Sequence, residues 1–441
     1  MDAQSHERRF ARNVKWQFVA NGAQALLGGA YLLVLGRALG PTEFGIFSVV
    51  TALISVAGLL LEMRIQDVVA RDLCNVTVGD NPSGQDGSKL IDLFVLEAVG
   101  RSVSVIGLVM LAPSLTRLSN LPPDAHWLIG LAAAGFLLSK TGTGVSTGLL
   151  RVLGRTDLIA ACMSADWGLR LLLTILLALL GMLSVINALW VALAVGGICN
   201  AAQVLLAAGE FEKRVAPLSP AKWSLIPAVD RLRHDGRLIV ANLGVSASDL
   251  MAKDLDVAMI SSFMAADKVG LYKMAKSLVQ VIWRAIDPFY LAIMPEVQRL
   301  WTAREFLALK RLLAKTSRRL FVLSVALVAV GYALVWLFGN RVLGVGYEQM
   351  PSLMLLMSVW VIFCAPFVWA HPLTVAINRP ELAVAGSLLG SVSGVAAFLT
   401  LTPRFGLTGA ACAWVITLLT GFFFTAGSAL LLAKRRLEAN P

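Results

Sequence analysis

Twelve stretches of this chain are apolar over windows of about 19 residues, long enough for each to cross a bilayer as a helix. They fall at 16–36, 43–63, 90–112, 127–150, 157–181, 184–208, 237–263, 269–295, 319–339, 350–371, 382–402 and 407–433. The expected fold is therefore an all-α integral membrane protein of about twelve transmembrane helices. Composition agrees, with 57% hydrophobic and 15% charged residues, against roughly a quarter charged in soluble chains. Met1 to Lys15 is polar and basic, and a full-length span follows it. The first helix is expected to act as its own insertion signal rather than as a cleaved leader.

The net charge of +11 raises the question of nucleic acid, but the basic residues sit in short clusters between spans. Assigned to alternate sides, 26 Lys and Arg lie on the side of both termini and five on the other. This asymmetry places both termini in the cytoplasm, with no nucleic-acid partner. Cys74, Cys162, Cys199, Cys364 and Cys412 are widely separated without a C-x-x-C pair. Neither a disulfide framework, a metal site nor a cofactor is expected.

The connection 210–236 contains Pro217, Pro220, Pro227 and the cluster DRLRHDGR, and it divides six spans from six. It reads as a cytoplasmic linker between an amino-terminal six-helix lobe, 1–209, and a carboxy-terminal six-helix lobe, 237–441. A second connection, Val78 to Lys89, is polar and rich in Gly, Asp and Ser, as a loop with no core of its own would be. The halves echo each other. Arg37 to Phe47 leads from span one to span two and Phe263 to Tyr272 from span seven to span eight, matching Gly45 to Gly270 at an offset of 225. Gly154 to Leu158 and Asn378 to Leu382 correspond at an offset of 224. Six spans return the chain to its starting side, so two parallel repeats around a central cavity are expected.

Charges inside the spans point to function, because each costs about 2.5–3.5 kcal/mol at a helix centre and lines protein or water rather than lipid. In span seven, Asp249, Lys253 and Asp256 fall at i, i+4 and i+7 on one helical face, with Asp254 beside them. In span eight, Lys273, Lys276, Gln280, Arg284 and Asp287 share a face. Span three carries Glu97 and Arg101, and span five carries Asp166 and Arg170, both at i, i+4 with the acid first. Lys140 in span four has no acidic neighbour within a turn and forms a polar face with Thr143 and Thr147. Lys140, Arg170, Lys273, Lys276 and Arg284 are thus the candidates to meet an anion. Asp166, Asp249, Lys253, Asp256, Glu97 and Arg101 are the candidates for coupling or gating, with proton or sodium coupling left open. In span one, Gln17, Asn21, Gln24, Gly28 and Tyr31 make a stripe better read as helix packing. Gly144 to Gly148 spells part of a nucleophile elbow, yet it lies within a membrane helix without a triad and is also G-x-x-x-G, a close-packing spacing. Ser139-Lys140-Thr141 lacks the glycine of a phosphate loop. Neither string supports an enzyme.

The segments RALGPTEFGIFS, KDLDVAMISSF, DKVGLYKMAKSL and FGLTGAACAWV resemble bacterial polysaccharide-biosynthesis membrane proteins. These are the O-antigen and exopolysaccharide flippases of the multidrug/oligosaccharidyl-lipid/polysaccharide (MOP) exporter superfamily. The resemblance rests on Leu39 to Gly45, on Asp256 with Val269 to Tyr272, and on Gly409 to Ala411. It implies alternating access between two lobes in the bacterial inner membrane, with an undecaprenyl-diphosphate-linked oligosaccharide as cargo. Membrane lipids and polysaccharide polymerase or assembly proteins are the partners it implies. A cation-coupled multidrug exporter of the same superfamily is the first rival. A membrane-embedded glycosyltransferase or polymerase is the second, and the very short external loops disfavour it.

Overall fold

The computed structural model describes residues 3–60, 65–73, 85–122, 125–215 and 253–439. Cys74, Asp249, residues 78–84, linker residues 216–236 and the start of the seventh expected span, 237–252, lie outside the described residues. The described chain is helical throughout: α1 (Ala3–Leu60), α2 (Ile65–Leu73), α3 (Gln85–Leu118), α4 (His126–Lys140), α5 (Thr143–Val152), α6 (Thr156–Leu179), α7 (Val185–Arg214), α8 (Leu255–Ser261), α9 (Ala266–Arg284), α10 (Asp287–Thr302), α11 (Phe306–Leu343), α12 (Met350–Cys364), α13 (Ala370–Ala376) and α14 (Glu381–Ala439). Among the described residues, eight helical stretches are long and apolar enough to cross a membrane. Two of them each hold two of the expected spans, because a left-handed glycine interrupts α1 at Gly40 (φ 71°) and α14 at Gly406 (φ 59°). Pro41 follows the first break without an N–H to continue the ladder. The protein is an all-helical, multi-pass membrane protein.

Small residues make the α14 hairpin possible. Gly386, Gly390 and Gly394 lie four apart on one arm, and Gly409, Ala413, Thr417, Gly421 and Thr425 lie four apart on the other. A methyl at Gly390 would stand on the Thr417 carbonyl, one at Gly386 would lie 2.8 Å from the Gly421 carbonyl oxygen, and one at Gly409 would strike Leu401. Two backbones in such contact gain dispersion and close packing, which drive helix association where lipid supplies no hydrophobic force.

By packing, the chain divides into two compact units, Met1–Val34 with Leu53–Arg117 and Leu121–Ala247, and Leu35–Ala52 with Leu118–Asn120 and Ser248–Pro441. The first unit has an apolar core in which Val68, Val69, Leu93, Leu150 and Phe211 are buried. There α2 lies close on α5, since a methyl at Gly148 would sit 2.8 Å from the Gln66 carbonyl oxygen. The sequence read this G-x-x-x-G as close packing, and Gly148 shows why.

In the second unit α9 is buried along most of its length, from Val269 to Val279. The α1 turn packs on its start. A methyl at Gly45 would overlap the Ala266 carbonyl, and one at Gly270 would overlap the Pro41 carbonyl. The glycines matched by the internal repeat therefore touch, and neither position has room for a side chain. Arg37 donates to the carbonyls of Arg341 and Val342, the latter at 3.0 Å, and the Tyr347 hydroxyl donates to the Gly36 carbonyl at 3.2 Å.

Candidate functional site

The charges of the second unit gather where α8 begins. Backbone angles at Asp254 (φ −141°, ψ −4°) interrupt the helix just before Leu255, so the expected face through Asp249, Lys253 and Asp256 does not run unbroken. Asp249 lies outside the described residues, and Lys253 is exposed. Asp256 turns inward and is fully buried with Lys276 and Tyr272. The Lys276 ammonium donates to both carboxylate oxygens of Asp256 at 2.7 Å, and the Tyr272 hydroxyl donates to Oδ2 at 2.7 Å. Lys276 also donates to the Lys253 carbonyl, freed by the helix break, and its Nζ lies 5.5 Å from the centre of the Trp414 ring. One turn away, Lys273 donates to Asp254 at 2.6 Å, with both side chains partly exposed.

Lys273 and Lys276 have no acidic residue one turn away on their own helix. Asp254 and Asp256 reach them from α8, and the fully buried Lys276 presents no open surface to an anion. Arg284 is exposed at the end of α9. Span eight also bends there, since α9 stops and α10 starts at Asp287.

In the first unit the fourth expected span is two helices. Gly142 is left-handed (φ 81°) and separates α4 from α5, so the proposed face from Lys140 through Thr143 to Thr147 is not one helical face. Lys140 is instead the last residue of α4, exposed beside carbonyls whose dipoles favour a cation. Such a break leaves backbone groups without partners inside a bilayer, and neighbouring side chains supply them. The Glu97 carboxylate, buried, accepts from the N–H groups of Gly144 and Val145 at 2.9 and 3.0 Å. The Asn200 amide donates to the Leu138 and Thr141 carbonyls, each at 2.8 Å. Gln203 donates to the hydroxyls of Ser146 and Thr147 at 3.0 and 2.9 Å. Sequence reasoning missed Asn200 and Gln203, although two amides three residues apart deep within the sixth span were a visible signal.

Arg101 and Glu97 meet groups on other elements: the Arg101 guanidinium donates to the Gly58 carbonyl at 3.3 Å and lies 5.3 Å from the Phe136 ring centre. Asp166 and Arg170 do pair at i, i+4, with a 2.8 Å contact. Arg170 also lies over Trp167, at 5.6 Å, and Trp167 packs edge-on to Tyr31 and against Gly28. Gly28 and Tyr31 of the span-one stripe are thus packing residues. A methyl at Gly196 would come within 2.7 Å of the Arg170 guanidinium, so glycine there makes room for the charge.

The sequence matches the family described as “Polysaccharide biosynthesis protein” over residues 10–301. It is 27% identical over 153 residues to the inner membrane protein YghQ of Escherichia coli, a stretch covering 35% of this chain and 42% of that protein. The fold is similar to an inward-facing multidrug resistance MATE family transporter of the MOP superfamily, with a TM-score of 0.70 and 17% identity, covering 95% of this chain and 96% of that one. It is also similar to the lipid II flippase MurJ in an inward closed conformation, with a TM-score of 0.64 and 12% identity, covering 92% of this chain and 87% of that one.

Proposed function

The chain belongs to the polysaccharide biosynthesis protein family, and from that premise we propose that it is a flippase that carries a lipid-linked oligosaccharide across the bacterial inner membrane by alternating access. Membership over residues 10–301 is the observation that carries this reading. The cargo is an undecaprenyl-diphosphate-linked precursor, and its anionic head group needs partners that replace its water. Charge-assisted hydrogen bonds from ammonium and guanidinium groups do this in a low-dielectric interior.

Of the five candidates to meet an anion, Lys140, Arg170, Lys273 and Arg284 have some exposure, and they are proposed to meet the diphosphate in turn. Lys276 joins them only if it leaves Asp256. That pair, with Asp254 and Lys273 beside it, is proposed as the coupling element, and a proton or sodium ion competing for the carboxylates would loosen it. The Lys and Arg asymmetry supports cytoplasmic termini, and a polysaccharide polymerase is proposed as the downstream partner.

Depletion of the protein in its own cells tests the reading. Lipid-linked sugar should accumulate on the cytoplasmic face, and export should fall with Lys140, Lys273, Lys276 and Arg284 all changed to glutamine at matched membrane levels. Normal export from that variant, together with efflux of cationic dyes by the wild type, would favour a multidrug exporter, the reading to which the MATE-like fold is equally suited.

A further inference from the structure

The second unit encloses a cavity of about 410 Å³ between the end of α9, α10, α13 and both arms of α14, a size within the roughly 300–1,000 Å³ of small-ligand pockets. Its walls combine one aromatic platform with hydrogen-bond acceptors. Trp283 is backed by Trp360 at 4.3 Å between ring centres and braced edge-on by Phe422 at 5.5 Å, which fixes the indole against the cavity. The Asp287 carboxylate lines the same space near the charge of Arg284, and among the described residues no hydrogen bond or close ion pair takes up its oxygens. Thr417 and Thr425 give their hydroxyl protons to the carbonyls of Ala413 and Gly421, each at 2.9 Å. What those two threonines still offer is oxygen lone pairs. Tyr290 and His371 also line the cavity and share a hydrogen bond of 2.9 Å.

A ligand suited to this lining must donate several hydrogen bonds and present a flat apolar face to an indole. A pyranose ring does both, through its hydroxyls and its C–H face. We propose that this cavity is a glycosyl-binding site, in which a sugar ring lies against Trp283 and donates hydroxyl protons to Asp287 and the threonine oxygens. The proposal rests on the flippase reading for its role, holding part of the glycan while the diphosphate moves, but not for the binding itself. An organic cation held by Asp287 and the aromatic rings is the rival occupant.

The test uses the purified full chain in lipid nanodiscs, with glucose, galactose, N-acetylglucosamine and tetraphenylphosphonium as probes. Saturation-transfer NMR and tryptophan fluorescence are the readouts. At least one sugar should bind saturably, about tenfold or more weakly in Asp287→Ala, which loses charge-assisted hydrogen bonds, and not at all in Ala383→Phe, which fills the space. Thermal unfolding verifies that both variants fold; if either does not, Ser387→Val and Thr417→Val take its place, with weaker binding expected. Saturable binding of tetraphenylphosphonium alone, no saturation by any sugar, or sugar binding unchanged in the folded variants overturns the proposal. Sugar binding with no lipid-linked sugar accumulating on depletion would leave the site standing and remove the flippase reading; the reverse combination removes only the site.

Discussion

Replacing Lys276 by methionine isolates the most heavily committed charge in the chain. The change keeps an unbranched chain only one atom shorter and removes two of the three hydrogen bonds that Asp256 accepts, leaving only the one from Tyr272. Asp256 is 0% exposed, so water cannot replace what is lost. Breaking such a buried pair from one side costs about 3–5 kcal/mol, because an uncompensated charge remains. The same reasoning gives a comparable loss for Asp256→Asn, which leaves the ammonium with neutral acceptors and the Trp414 ring but no counter-charge.

Removing every member at once reverses the sign. Lys276→Met with Asp256→Leu still leaves the Tyr272 hydroxyl buried without its acceptor, at about 1–3 kcal/mol. Adding Tyr272→Phe makes the site wholly apolar, and the triple variant should unfold no more easily than wild type, since hydrophobic replacement of buried ion pairs is often neutral or stabilising. Unfolding of each variant in one detergent, followed by denaturant and by retention of soluble protein after heating, measures this. Lys276→Met, Asp256→Leu and the double variant that combines them form a cycle whose coupling should exceed about 2 kcal/mol. Stability of Lys276→Met within about 0.5 kcal/mol of wild type, an ordinary surface effect, would refute the reasoning. So would a triple variant less stable than the worst single one. If the triple variant folds yet no longer exports glycan, the pair is part of the transport machinery.

Three further outcomes follow from the packing and the charge distribution. Gly270→Ala should lower stability by about 1–3 kcal/mol through overpacking against the Pro41 carbonyl, with Gly45→Ala doing the same at Ala266; thermal unfolding of either variant at the wild-type temperature would contradict the contact. Glu97→Gln should cost about 1–3 kcal/mol, because the amide has one acceptor oxygen for two N–H groups, whereas Glu97→Asp is expected to be milder; the comparison is again by unfolding, and equal loss in the two would assign the effect to volume. A cysteine at Ala266 should react with an impermeant thiol reagent on intact cells while Cys74 is spared, and the opposite pattern would invert the proposed orientation.

The helical, membrane-spanning character of the chain was legible because about 20 apolar residues in a row leave a chain few alternatives in lipid. The Gly40-Pro41 turn was legible too, since it combines a residue tolerant of positive φ with one that lacks an N–H. The break at Gly142 was not. A 19-residue hydropathy window averages across a single left-handed residue, and the groups that satisfy the severed ladder, Glu97 and Asn200, come from helices remote in sequence. The ion pairs divide along the same line. Asp166 and Arg170 meet within one helix at i, i+4, where periodicity alone finds them. Lys276 meets Asp256 twenty residues away on another helix, and only the fold brings those two together.

The contacts around the first turn also set a schedule for synthesis. Residues 35–52 belong to the second unit, yet they leave the ribosome long before the rest of it. The carbonyls that Arg37 grips are 304 and 305 positions further on, and Tyr347 follows Gly36 by 311. At roughly 5–20 residues per second, that hairpin waits about 15–60 s in the membrane before its partners exist. Gly45 is an open notch for about 11–45 s of that time, filled only when Ala266 and Gly270, 221 and 225 residues on, arrive. A nascent chain of this design therefore carries an unfinished surface through most of its own translation, and quality control that samples membrane proteins within a minute meets it in that state.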